Sequence, residues 1–162
     1  MFWINILLLI VLVICLITDL KSRKIYNKVL FPTLVIAFVG HFMISGWAGV
    51  GSASLGFLLG LAILLIPFLL GGMGAGDVKL LAVIGALKGS AFVLTTAIYM
   101  ALVGGIIALV IILSKKGRAK GLFYHFWAKK HGIDLLYEKS ALSATFPYGV
   151  AIVAGALLAL YS

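Results

Sequence analysis

The chain carries only four carboxylate side chains, Asp19, Asp77, Asp134 and Glu138, and two of them stand where a charge is costly. Asp134 and Glu138 lie among Lys129, Lys130 and Lys139 and read as part of a solvated loop. Asp19 closes an unbroken apolar run and Asp77 opens another, which puts both at or just inside a hydrocarbon boundary. A carboxylate there is expensive unless it faces a wet cavity or finds a partner, and such an expense usually marks function. Two carboxyls held within a few ångströms of each other tend to share one proton, leaving one group as base and the other as acid. That pair can hydrolyse a peptide bond with nothing else ionisable: the base takes a proton from water while the acid protonates the carbonyl oxygen. Which of the two starts protonated is a property of the pair.

A purely structural reading stands beside this one. Asp19 could pair with Arg23, four residues on, and Asp77 could cap the helix it opens. The glycines favour chemistry. Gly74-Ala75-Gly76, directly before Asp77, strips side chains from a segment at membrane depth, and the expectation is an unwound stretch that lets a substrate backbone approach. Gly56 and Gly60 have the spacing of close helix packing, and Gly104-Gly105 could serve similarly, so both read as structural.

These residues must be held by membrane helices. With 64% hydrophobic and 10% charged residues over 162 positions and a mean hydropathy of +1.27, a water-soluble domain is excluded, because its interior could not hide so much apolar side chain. The expected class is all-α: one polytopic membrane domain over residues 1–162 with about six transmembrane helices. Spans are predicted over 2–20, 29–45, 53–70, from Asp77 to about Lys88, over 91–113 and over 146–161, the last just long enough. The first lacks a basic leader and a small-residue cleavage site, so it reads as a retained span.

Charge placement tests this count. Lys and Arg accumulate on the cytoplasmic side, and with six spans the connections after the first, third and fifth share a side. They hold all of the 13 basic residues except Lys88, which predicts an inner-membrane protein with both termini outside. The net charge of +9 then points to anionic membrane lipids and away from nucleic acid, because the basic residues border apolar spans. Most of them fall in a cytoplasmic loop over 114–142, where Leu122, Phe123, Phe126 and Trp127 share one helical face and suggest an amphipathic helix on the inner leaflet.

Three segments, in order, resemble the prepilin peptidases, a branch of the GxGD intramembrane aspartyl proteases. Asp19 through Asn27 is similar to the family's first motif, an Asp followed at fixed distance by Ile-Pro-Asn, with Tyr26 in place of the proline. Gly74-Ala75-Gly76-Asp77-Val78-Lys79-Leu80 looks like the Gly-x-Gly-Asp motif with its following Lys-Leu, and Phe146-Pro147-Tyr148-Gly149 resembles the Pro-Tyr-Gly segment that opens the last span. The resemblance implies that Asp19 and Asp77 are the catalytic pair. It also implies an enzyme that removes a short leader from prepilin-like precursors after a glycine, on the cytoplasmic side. Gly74, Gly76, Lys79, Asn27, Pro147 and Gly149 are expected to bind substrate or shape the site. Asn27 fits as the N-cap of the second span, Pro147 suits the first turn of the last, and Lys79 is expected to reach the headgroups while lying close enough to Asp77 to tune it.

Larger members carry paired Cys-x-x-Cys motifs that suggest zinc, and they methylate the new N-terminus. The single cysteine here, Cys15, lies mid-span as a small apolar residue, and no Cys or His set has metal spacing. No zinc, no cofactor and no methyltransferase activity are expected, and the chain most resembles the short enzymes of tight-adherence (Flp) pilus systems. His41, alone in the second span, reads as a packed residue. Two other classes remain open: a small ion- or proton-coupled transporter subunit, which would keep two buried acids but should show an internal repeat, and an assembly scaffold, which would not place both acids on one side.

Overall fold

The computed structural model describes residues 2–22, 24–114 and 148–162. The predicted loop over 114–142 lies outside the described residues but for Ser114, and Arg23, Phe146 and Pro147 lie wholly outside them. Every described element is a helix: α1 (Phe2–Ser22), α2 (Asn27–Leu69), α3 (Ala75–Lys88), α4 (Ser90–Ser114) and α5 (Tyr148–Tyr161). The chain divides into a unit formed by Met1–Val103 with Pro147–Ser162 and a second unit, Gly104–Phe146. The site lies in the first.

Helix α1 shows how an all-apolar sequence still has an inside. Ile4, Leu8, Val11, Leu12 and Cys15 recur at helical spacing and are buried, whereas Ile6, Ile10, Val13, Ile17 and Leu20 form the exposed stripe opposite. In a membrane that second stripe faces lipid. Cys15 is packed and free of any disulfide, as its position predicts.

The second and third expected spans arrive as α2, which runs for 43 residues. At about 1.5 Å per residue a straight helix of that length would be about twice the thickness of a bilayer core. It is not straight. Gly46 adopts φ 57°, ψ −141°, a left-handed backbone that glycine alone takes without strain, and the chain reverses there. A β-carbon on Gly49 would lie 2.9 Å from the His41 carbonyl carbon, and the Phe38 and Phe57 rings meet edge-on at 6.5 Å between centroids. Residues 19 apart in a straight helix would be separated by about 28 Å. Helix α2 is therefore a helical hairpin with antiparallel arms over 27–45 and 47–69.

Helix α3 is the centre of the unit. Its residues from Leu80 to Leu87 are all buried, and its amphipathic pattern is correspondingly faint. Glycine lets it come close to the second arm of α2: a β-carbon on Gly56 would run into the Gly85 carbonyl group, and one on Gly60 would lie 2.6 Å from the Leu81 carbonyl oxygen. The expected packing role of Gly56 and Gly60 is thus observed. A β-carbon on Gly105 would meet nothing among the described residues within 4 Å. His41 is buried and its Nε2–H donates to the Leu87 carbonyl (3.1 Å), satisfying the last turn of α3, in line with its reading as a packed residue.

Among the described residues, three helices are long and apolar enough to cross a membrane by length and composition, over Trp3–Ser22, Asn27–Leu69 and Ser90–Val110. Helix α5 is apolar but has only 14 residues. It closes on α4 through Gly155, where a β-carbon would sit 2.8 Å from the Thr96 carbonyl oxygen.

Candidate active site

The two membrane-boundary acids come from different helices and lie at one end of the unit. Asp19 lies in the last turns of α1 and Asp77 in the first turn of α3, and both are half-buried. The charge of Asp19 acts on Asp77, and that of Asp77 acts on the phenol of Tyr148 at the start of α5. Gly149 is buried directly against Asp19: a β-carbon there would fall 2.6 Å from the Asp19 carboxyl carbon. Three helix ends, α1, α3 and α5, therefore enclose the acid pair.

The opposite end is marked independently. Lys88, at the end of α3, donates to Asn5 Oδ1 near the start of α1 (2.7 Å) and lies over the Phe92 ring, 5.0 Å from its centroid. With Lys88 beside Asn5 and Asp77 beside Asp19, α1 and α3 run antiparallel. The acids share one end.

Asp77 has a structural duty as well. The Gly74 N–H donates to its Oδ2 (3.2 Å), and its own N–H donates to the Gly74 carbonyl (3.2 Å), so the carboxylate caps the helix it belongs to. The capping that sequence offered as an alternative to catalysis is present, and it engages one carboxylate oxygen.

Two expectations are corrected. The unwound Gly74-Ala75-Gly76 stretch is not unwound: Gly74 is the extended N-cap (φ −82°, ψ 150°), and Ala75 and Gly76 already belong to the first turn of α3. The capping bonds of Asp77 wind this turn, and only residues 70–74 stay outside a helix. The bare backbone serves a neighbour instead, since a β-carbon on Gly76 would lie 3.0 Å from Ile25 Cβ. Nor is Asn27 an N-cap. Tyr26 fills that position in extended conformation (φ −83°, ψ 127°) without a side-chain cap bond, and Asn27 is the first helical residue. Its Oδ1 accepts from Lys79 Nζ (3.1 Å), so the lysine that was expected to reach for headgroups ends on the first motif.

Among the expected site residues, then, Asp19, Asp77, Gly74, Gly76, Lys79, Asn27 and Gly149 all fall at this end of the unit, while Pro147 lies outside the described residues. Tyr148 and Ile25 join them without a signal of their own in the sequence. Tyr148 was legible only as the neighbour of Gly149, and nothing in the sequence pairs Ile25 with Gly76. Among the described residues, no group of three His, Cys, Asp or Glu side chains could hold a metal ion.

An all-helical membrane protein with paired acids at one end of its helices is the class that fold and site define. The chain belongs to the type IV leader peptidase family, whose model matches residues 6–109 and so includes both aspartates but not α5. Leader peptidase activity on prepilin-like substrates follows from that membership. Comparison with curated proteins and with solved structures found no match.

Proposed function

We propose that the protein is an intramembrane aspartyl endopeptidase of six spans that removes the leader from Flp-type prepilins at the cytoplasmic face of the inner membrane, with Asp19 and Asp77 as its catalytic pair. The observation that supports this reading is that two carboxyls from separate helices lie at one helix end, near enough for the charge of one to act on the other, with Gly149 keeping side-chain bulk away from Asp19. In the proposed reaction the ionised acid takes a proton from water, whose oxygen attacks the scissile carbonyl carbon, while the protonated acid gives its proton to the carbonyl oxygen. The gem-diol then collapses. The C–N bond breaks, the first acid passes its proton to the leaving amine, and the second recovers one from a diol hydroxyl. The capping bond from Gly74 holds Asp77 in place through both steps.

The hairpin of α2 supplies the second and third spans of the six, and α3 and α5, with 14 residues each, supply short ones. The acid end carries Lys21, Lys24, Lys28 and Lys79, which supports its placement at the cytoplasmic leaflet in contact with anionic lipid. Residues 1–162 are read as one peptidase domain, the loop over 114–142 as cytoplasmic, and Pro147 as a shaper of the site. Cleavage without methylation rests on the single cysteine, which leaves no Cys-x-x-Cys pair.

The test is co-expression with a precursor bearing a basic leader, read as a size shift on a gel. Asp19→Asn and Asp77→Asn should each abolish the shift while the protein still accumulates in the membrane. Cleavage persisting in either variant removes that residue from the catalytic pair.

A further inference from the structure

The connection between α1 and α2 touches the first turn of α3 at two points. Ile25 packs on Gly76, and Asn27 accepts from Lys79. The registers match: residues 76 and 79 lie three apart on one helical face, and residues 25 and 27 lie two apart on one side of a segment whose middle residue, Tyr26, is extended. Neither contact involves the acids themselves. They flank Asp77 in sequence, and the connection they hold begins three residues after Asp19 at the end of α1.

We propose that Lys79 is a positioning residue: by holding Asn27 while Gly76 receives Ile25, it latches the α1–α2 connection to the start of α3 and thereby sets the spacing of the Asp19 and Asp77 carboxyls. The inference rests on the aspartyl reading above and adds to it a role for a cation that need not touch the precursor. The logic is geometric. Asp19 sits on a helix end that is continuous with the connection, and Asp77 sits two residues from the latch. A bond between the two motifs therefore fixes one acid against the other, whereas a lysine whose ammonium only met lipid would leave the end of α1 free to drift. Displacing a reacting group by about 1 Å costs on the order of 100-fold in rate, so a latch that controls such a displacement should be visible in turnover.

The experiment is steady-state cleavage of a prepilin-like peptide by detergent-solubilised full-length protein carrying Lys79→Met, Asn27→Leu or both, with Asn27→Asp as the variant that keeps an acceptor for the ammonium. The latch predicts a kcat lowered on the order of 10- to 100-fold by either single change, with KM held within about twofold. It also predicts a double variant no slower than the worse single one and near-normal turnover in Asn27→Asp. A rise in KM at unchanged kcat would show Lys79 binding the precursor, and single effects that multiply in the double variant would show two independent roles. Either result overturns the latch, as does unchanged kcat in Lys79→Met. Where either single variant fails to fold, Asn27→Cys/Lys79→Cys on a Cys15→Ser background gives a second route. Oxidised, this protein should cleave, and reduction should slow it; the reverse order defeats the proposal. Asp19→Asn and Asp77→Asn run alongside separate the two levels. If they still cleave, the aspartyl reading fails, and if they are inert while Lys79→Met is normal, only the latch does.

Discussion

At the scale of single residues, the site illustrates how one kind of substitution can have opposite consequences. Adding a methyl group at Gly149 brings it 2.6 Å from the Asp19 carboxyl carbon, and what it meets there is side chain, not backbone. Turning that side chain makes room without moving either helix backbone, but it also takes the carboxyl away from Asp77. Gly149→Ala is therefore expected to lower cleavage on the order of 100-fold with little change in thermal stability, measured as precursor turnover beside the unfolding midpoint in detergent. A normal rate would mean that Asp19 does its work from another rotamer. The sequence made Asp19 and Asp77 legible because an acid beside hydrocarbon is costly and rare. It left the partner of Lys79 hidden: Asn27 is 52 positions away, and the preference of Asn for helix N-caps pointed to a local role instead.

At the scale of elements, the same methyl group at Gly56 has nowhere to go. The neighbours of a β-carbon there are the backbone of Gly85, with its carbonyl carbon 2.7 Å away, and the Gly89 carbonyl carbon at 3.0 Å. Backbone inside two packed helices does not rotate aside, so α3 would have to move off the second arm of α2. Overpacking of this kind costs about 1–3 kcal/mol, and at a backbone-to-backbone contact the upper part of that range applies. Gly56→Ala should accordingly lower the unfolding midpoint clearly, the reverse of the pattern at Gly149. Equal midpoints for wild type and variant would place the α2–α3 contact elsewhere. The hairpin was legible from hydrophobic length, which set two spans over 29–45 and 53–70. The start of α3 was not, because three small residues before an acid look like a break. It is the local capping bond from Gly74 to Asp77, which the sequence offered only as an alternative to catalysis, that makes them a helix turn.

At the scale of the whole molecule, the question is which end faces the cytoplasm. The unit is polarised along its helices. Asp19 and Asp77 mark one end, and Lys88 with Asn5 marks the other, separated along α1 by about 21 Å of helix rise. The turn at Gly46 belongs to the second end, since His41, just before it, bonds the carbonyl of Leu87 beside Lys88. Exposed lysines lie at the acid end, Lys24 and Lys28 among them, and the proposed orientation sets those in the cytoplasm. Single cysteines can test it, because the native Cys15 is only 2% exposed and should react little. Trp47→Cys, at a position whose native side chain is 81% exposed, should react with a membrane-impermeant maleimide on intact cells. Lys24→Cys should react only after the membrane is opened. The opposite labelling would turn the acid pair to the outside, where a basic leader held in the cytoplasm could not reach it, and the proposed site of cleavage would fall even if both aspartates were essential.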